Sequence, residues 1–156
     1  MSKNNNSTGG DARKHKGQVL FEFVRHWSRR STASADRLAE QNGRYALVIE
    51  AVDSIYRREP ATINSIAAEI GIDQSGASRL VKDATIAGYL ELKPSVSDAR
   101  KKSVTVSVSG IKLLAKARAW QEDVFLELTA DWSDEERSAF YRAMLSLLNR
   151  SREIGK

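Results

Sequence analysis

The sequence predicts a mainly α-helical protein with a small β-wing, an α+β fold in which a helix-turn-helix is flanked by further helices. Three observations support this fold class. Residues 63–82, INSIAAEIGIDQSGASRLVK, have the pattern of two short helices joined by a tight turn. After Gly88 the hydrophobic period changes from helical spacing to the alternation of strands. Apolar residues recur at helical spacing on both sides of this central part.

The N-terminal part predicts two helices. The first covers residues 18–30, and its apolar positions are Val19, Leu20, Phe23, Val24 and Trp27. A polar break at residues 31–36 separates it from a longer helix at residues 38–59, whose stripe comprises Leu38, Tyr45, Val48, Ile49, Val52, Ile55 and Tyr56. Pro60 is expected to end this second helix, because proline disfavours helical backbone at the residue before it.

The central helix-turn-helix has a predicted buried face formed by Ile66, Ile70, Leu80 and Val81. Ala67 is small where the second helix must cross the first. Gly71 occupies the corner, where a positive φ is accessible without a Cβ atom. Asp73 is expected to cap the second helix by accepting from its unpaired N–H groups.

Two strands are predicted at residues 89–92 and 103–108, joined by a polar, basic loop. A long helix at residues 109–130 follows, with Ser109 as its expected N-cap. Ser133 and Glu136 have the spacing of a capping box, which opens a last helix ending near residue 152.

The exposed start of the second helix of the helix-turn-helix carries side chains that can reach base edges and phosphates. The candidate DNA-binding residues are Gln74, Ser75, Gly76, Ser78, Arg79 and Lys82 there, and Arg100, Lys101 and Lys102 in the wing. Gln74 can pair with adenine and Arg79 with guanine, although Arg79 could instead contact a phosphate or pair with Asp83. Lys82 suits a phosphate. Asp98 is expected to orient Arg100.

The chain has 156 residues, 41% of them hydrophobic, and a formal charge of +5, so residues 17–156 suffice for a single domain. Residues 1–16 are polar and end in a basic run, which predicts a flexible basic tail that either contacts DNA or is solvated. The absence of cysteine excludes disulfides and thiolate metal sites. No apolar run reaches the ~18 residues of a membrane span and no signal-peptide pattern is present. We therefore expect a cytoplasmic protein with no membrane partner.

The order of elements resembles the MarR-type winged helix-turn-helix transcriptional regulators. The resemblance rests on INSIAAEIGIDQSGASRLVKDATIAGYLEL and SDARKKSVTVSVSGIKLL, including Gly88-Tyr89, Asp98-x-Arg100 and Ser107-Val108-Ser109-Gly110. It implies a winged helix-turn-helix at about residues 60–108, flanked by N- and C-terminal dimerisation helices at about 17–31 and 109–152. It further implies a homodimeric repressor that binds an inverted-repeat operator in double-stranded DNA and is released by a small-molecule effector.

The same resemblance suggests where such a ligand binds. Its candidate residues are Arg25, His26, Trp27, Tyr45 and Tyr56. Because the aromatic residues of this set lie at helical spacing, an alternative role for them is core packing.

No catalytic, metal-ligand or phosphate-loop pattern is present, so we expect no enzyme activity, no metal and no cofactor. One alternative function stays open. Residues 60–102 contain six basic and five acidic side chains, a near-neutral balance that a winged helix serving as a protein-interaction module could also have. The polar recognition helix favours DNA, because a protein interface would show apolar anchors.

Overall fold

The computed structural model describes residues 15–32, 37–94 and 102–154, and for residues 29–40 and 102 it describes no side chain. Its elements are α1 (Lys16–Thr32), α2 (Arg37–Tyr56), α3 (Ile63–Ile70), α4 (Gln74–Ile86), β1 (Leu90–Pro94), β2 (Lys102–Val106), α5 (Val108–Leu128) and α6 (Asp134–Ile154). The predicted fold class, mainly α with a small β-wing, is confirmed. The chain divides into two compact units, Met1–Gly110 and Ile111–Lys156.

The core of the first unit is built around α2. This helix contacts α3, α4 and β2, and its inward side is completely or almost completely buried at Val48, Ile49, Val52 and Ile55. The neighbouring elements contribute Ile66, Val81, Leu90 and Val104 to the same core. Because α2 supplies the largest share of buried side chains, residues 60–108 do not make this core by themselves.

The predicted end of α2 at residue 59 is three residues too late. The helix ends at Tyr56, and the amides of Arg58 and Glu59 both donate to the Ile55 carbonyl in a closing turn. Arg58 then pairs with Glu69 of α3 (3.2 Å), which also accepts from Ser54 (3.1 Å). Pro60 therefore follows a turn rather than the last helical residue.

The helix-turn-helix has the predicted corner and cap. Gly71 has φ 79°, in the left-handed region, and Asp73 accepts from the Gly76 amide at the start of α4. Thr62 and Ser65 form a reciprocal capping box at the start of α3. Ile70 and Leu80, predicted to be buried like Ile66 and Val81, are only half-buried.

The wing is an antiparallel pair in which Leu90 opposes Val106 and Pro94 opposes Lys102. Its second strand was predicted to reach residue 108 but ends at Val106. The prediction that Ser109 caps the following helix is wrong as well, since the Gly110 amide donates to Ser107 Oγ at 3.0 Å. Ser107 leaves the sheet to cap α5, so Val108 and Ser109 already belong to the helix.

The second unit is a helical hairpin closed by a polar turn. The predicted capping box of α6 is confirmed, with Ser133 N donating to Glu136 (2.8 Å) and Glu136 N donating to Ser133 Oγ (3.2 Å). Arg137 Nη2 donates to the carbonyl of Thr129 at 2.9 Å, near the C-terminal end of α5. Phe140 stacks on Phe125 across the hairpin. None of the helices in the described part of the chain has the length and apolar character needed to cross a membrane.

Candidate nucleic-acid interface

Helix α4 has two chemically distinct sides. Ala77, Val81 and Ala84 are buried against the rest of the first unit. Five predicted contact residues are exposed, and we call them the α4 polar face: Gln74, Ser75, Ser78, Arg79 and Lys82. At about 100° per residue these positions fall on one side of the helix. The structure therefore brings the predicted recognition side chains together on one solvent-facing surface.

Gly76, also predicted to contact DNA, is half-buried in the first turn of α4. A Cβ atom there would lie 3.2 Å from Asp73 Oδ1 and 3.5 Å from Ile72 Cδ1. Since Asp73 accepts from the Gly76 amide, the missing side chain leaves room for the cap. The helix thus has a local reason for glycine at this position, and a DNA contact by Gly76 stays a prediction.

Arg79 is held by its own helix. Its Nε donates to the carbonyl of Ser75 at 3.4 Å, one turn earlier. Within the described residues no ion pair joins it to Asp83, the alternative partner considered from the sequence. Because Nε is occupied on the helix side, the terminal nitrogens of the guanidinium can point away from the backbone of α4.

The wing lies directly after α4 in the chain. Lys93 pairs with Glu91 on the exposed side of β1 (3.2 Å). Lys102 occupies the loop end of β2, where its backbone opposes Pro94. Asp98, Arg100, Lys101 and the side chain of Lys102 lie outside the described residues, and so does the predicted basic tail through residue 14. Their DNA contacts stay predictions.

The family resemblance singled out Ser107-Val108-Ser109-Gly110, but sequence reasoning named Ser109 as the cap and missed the bond by which Ser107 joins the base of the wing. Ser107 Oγ donates to the Gly88 carbonyl at 2.6 Å and accepts from the Gly110 amide at 3.0 Å. A signal was present, because the Ser-x-x-Gly spacing matches an N-cap bonded to the third helical amide. The adjacent Ser109 obscured it by offering a second hydroxyl at the start of the same helix.

The predicted ligand residues are divided between two helices. Arg25 and His26 are exposed on α1, and Trp27 is half-buried there with its ring against His26. Tyr45 on α2 packs against Tyr89, with 5.3 Å between the ring centroids. Tyr56 is 63% exposed and lies eleven residues further along α2, about 16 Å at 1.5 Å per residue. Ligand binding by this set therefore stays a prediction.

Metal binding finds no geometric support in the ranges 15–32, 37–94 and 102–154. No three His, Asp or Glu side chains of these ranges are grouped so that they could hold an ion.

The sequence model of the MarR family matches residues 49–101, which run from the buried part of α2 through α3, α4 and β1 into the wing loop. The likeness to the MarR family is confirmed over this segment. The match covers the whole helix-turn-helix and thus the α4 polar face. No curated protein is similar enough to the sequence to add an assignment.

Solved structures extend the fold likeness to most of the chain. A single-residue mutant of S. aureus MepR has a TM-score of 0.63 at 19% identity, over 87% of this chain and 98% of that chain. A MarR family transcription regulator has a TM-score of 0.64 at 19% identity, over 90% and 95% of the two chains. A complex of S. aureus MepR with DNA has a TM-score of 0.59 at 14% identity, over 87% and 96%. At these identities the likeness establishes a MarR-family fold.

Proposed function

We propose that this protein is a sequence-specific, double-stranded DNA-binding transcription regulator that acts as a homodimer on an inverted-repeat operator. The observation that carries the proposal is the α4 polar face. A short helix that buries only small and aliphatic residues presents amide, hydroxyl, guanidinium and ammonium groups to solvent, which are the groups that read base edges and bind phosphates. The solved complex of MepR with DNA supports the same use of the fold.

Individual residues take distinct roles in this proposal. Gln74, at the entry of α4, is suited to adenine, and Arg79, held through Nε, is suited to the two acceptors of guanine. Each such bidentate pair discriminates by about 1–3 kcal/mol. Lys82, two turns after Gln74, contacts a phosphate. Ser75 and Ser78 can donate or accept hydrogen bonds with the neighbouring bases. The wing residues Arg100, Lys101 and Lys102 add contacts to the flanking backbone.

Exposed apolar residues on the flanking helices support the homodimer. On α1, Phe21 and Phe23 are 63% and 53% exposed. No residue of α6 is buried, and the exposed apolar residues before its last turn are Phe140, Tyr141, Leu145, Leu147 and Leu148. Apolar surface of this extent is uncommon on a monomer, and a second copy of the chain can cover it through a two-fold interface. A dimer also supplies two α4 helices for the two half-sites.

We further propose repression by operator occupancy, with release by a small-molecule effector. Tyr45 and the α1 residues Arg25, His26 and Trp27 offer aromatic surface and a cation, a combination that suits an aromatic carboxylate. Titrating such acids into a preformed DNA complex tests this point. Release that is lost in Arg25→Ala and retained in Tyr56→Ala would assign the ligand to α1. Release that is retained in both variants would exclude Arg25.

The test of DNA reading is selection from a random pool of duplexes at two salt concentrations, followed by sequencing of the bound fraction. We expect a palindromic site with half-sites about one helical turn apart. Arg79→Ala should relax the preference at one G·C pair in each half-site. Lys116→Ala, which removes one positive charge from the exposed side of α5, serves as the matched control and should select the unaltered site. Absence of salt-dependent binding would instead favour the protein-interaction module.

The homodimer is tested separately by sedimentation velocity. Leu148→Lys places a charge within the exposed apolar side of α6 and should shift the protein to monomers, since burying an unpaired ammonium is costly. Ile154→Lys makes the same change at the last residue of the helix, which is 84% exposed, and should leave the dimer intact. A wild-type protein that sediments as a monomer would contradict the proposed two-fold interface.

A further inference from the structure

The start of β1 and the end of β2 meet at one hydrogen-bonded junction, which forms the base of the wing. The chain leaves α4 through Gly88, whose φ of 80° turns it into β1, and Tyr89 N donates back to the Ala84 carbonyl at 2.9 Å. The other strand returns at Ser107, whose amide donates to the Tyr89 carbonyl at 3.0 Å. The first pair of the sheet, Leu90 opposite Val106, lies immediately beyond this junction.

A single hydroxyl connects three elements at the junction. Ser107 Oγ donates to the carbonyl of Gly88 (2.6 Å), which belongs to the turn after α4, and accepts from the amide of Gly110 (3.0 Å), in the first turn of α5. These two bonds use both the donor and an acceptor of the hydroxyl. The base of the wing is therefore joined by one side chain to the C-terminal end of α4 and to the start of α5.

Close packing reinforces the same point. Gly110 is buried, and a Cβ atom on it would overlap the Tyr89 carbonyl oxygen and lie 2.8 Å from Val106 Cγ1. Further along β2, Val104 N donates to the Ala61 carbonyl (2.8 Å) and fixes that strand to the segment before α3. The wing is thus held at its base and along one edge of β2.

We propose that Ser107 is a positioning residue for DNA binding. Its hydroxyl sets the direction in which the wing leaves α4, so that the wing and the α4 polar face meet the duplex in one fixed relative orientation. The inference rests on the proposed function and deepens it, because the Ser107 hydroxyl is engaged by the Gly88 carbonyl and the Gly110 amide and acts through the wing rather than on a base. A wing that pivots at its base must be ordered again on binding, and that ordering reduces affinity.

Three variants separate this role from ordinary helix capping and from folding. Ser107→Ala removes both bonds of the hydroxyl, Ser107→Thr keeps a hydroxyl that can make them, and Ser109→Ala removes an exposed hydroxyl two residues later in the same helix turn. Amide hydrogen exchange is measured on the free full-length protein. DNA affinity is measured on the selected operator and on single-base variants of it, over a range of salt.

In Ser107→Ala we expect exchange at Gly110 and along β1 and β2 to be about tenfold faster, with α3 unchanged. Operator affinity should fall by about tenfold, and the slope of log affinity against log salt should become shallower by about one phosphate contact. Base preference at the Arg79 position should persist, since α4 is intact. Ser107→Thr and Ser109→Ala should match the unaltered protein.

Unchanged exchange in the strands, or an unchanged salt slope in Ser107→Ala, overturns the positioning role. A variant that is merely less stable would contain less active protein. Its slope of log affinity against log salt would be unchanged, and exchange in β1 and β2 would keep the same ratio to exchange in α3. Failure of DNA binding by the unaltered protein is a different result, because it removes the proposed function together with this inference.

Discussion

Gly110 and Gly43 are both helical glycines without a positive φ, yet replacing each with Ala should change stability in opposite directions. Gly43 lies within α2, is exposed, and has no atom within 4 Å of a Cβ placed on it. Gly110 lies in the first turn of α5, where a Cβ would overlap the Tyr89 carbonyl oxygen and approach Val106 Cγ1 to 2.8 Å. One substitution therefore tests intrinsic helix preference, and the other tests the packing of the wing base.

The two magnitudes follow from the surroundings of each glycine. Gly43→Ala should stabilise by about 0.5–1 kcal/mol, the usual preference of a helix interior for alanine. Gly110→Ala gains a similar stabilisation from helix preference, but the new Cβ forces the Tyr89 carbonyl away. This movement strains the hydrogen bond that the Ser107 amide donates to that carbonyl. Overpacking of a buried site costs about 1–3 kcal/mol. Because the obstructing atom is backbone, we take the upper part of that range and expect a net loss of about 2 kcal/mol.

Urea unfolding followed by circular dichroism, at one fixed protein concentration, measures both differences. A thermal scan should show a midpoint lower by roughly 4–8 °C for Gly110→Ala and slightly higher for Gly43→Ala. If Gly110→Ala proves neutral or stabilising, the first turn of α5 does not approach the wing base as closely as described, and the junction argued for Ser107 loses its main packing support.

The remaining predictions concern the side chains of four residues. Asp73→Ala removes the acceptor for the first-turn amides of α4 and should lower the free energy of unfolding by about 1 kcal/mol, whereas Asp73→Ser keeps a cap; equal urea midpoints would contradict capping. Arg137→Lys loses the forked donors to the buried Thr129 and should cost about 2 kcal/mol by the same assay, a result that unaltered stability would refute. Arg79→Ala should reduce discrimination at one G·C pair by about 1–3 kcal/mol, and Lys82→Ala should weaken all sites evenly with a salt slope reduced by about one; the reverse pattern in competition binding would exchange their roles.

Local patterns in the sequence were sufficient for most element types and caps. Gly71, Asp73 and the Ser133–Glu136 pair act within four residues of themselves, so their roles are readable without knowing the fold. The polar side of α4 is equally local, because helical spacing alone gathers its residues. The start of a helix was harder to predict where two neighbouring residues could each act as its N-cap. Ser107 and Ser109 both offered a hydroxyl, and the tertiary bond to the Gly88 carbonyl decided in favour of Ser107.

The ligand residues illustrate the limit of sequence reasoning at a site. Tyr45 and Tyr56 share one predicted stripe, but the structure packs Tyr45 on Tyr89 and leaves Tyr56 exposed. Periodicity indicates which side of a helix a residue occupies. It does not indicate which other element packs on that side at a given position along the helix axis. A set of residues drawn from two helices therefore depends on packing that the pattern does not contain.

By itself, the sequence determined the fold class, the helix-turn-helix and the chemistry of the α4 polar face, because these depend on spacing and on residue type within short segments. Only the tertiary structure decided that α2 forms the centre of the first core, that Ala61 joins the edge of β2, and that Ser107 and Gly110 close the base of the wing. These features depend on contacts between residues far apart in the chain. Their energies come from buried area and backbone hydrogen bonds that exist only once the elements have packed.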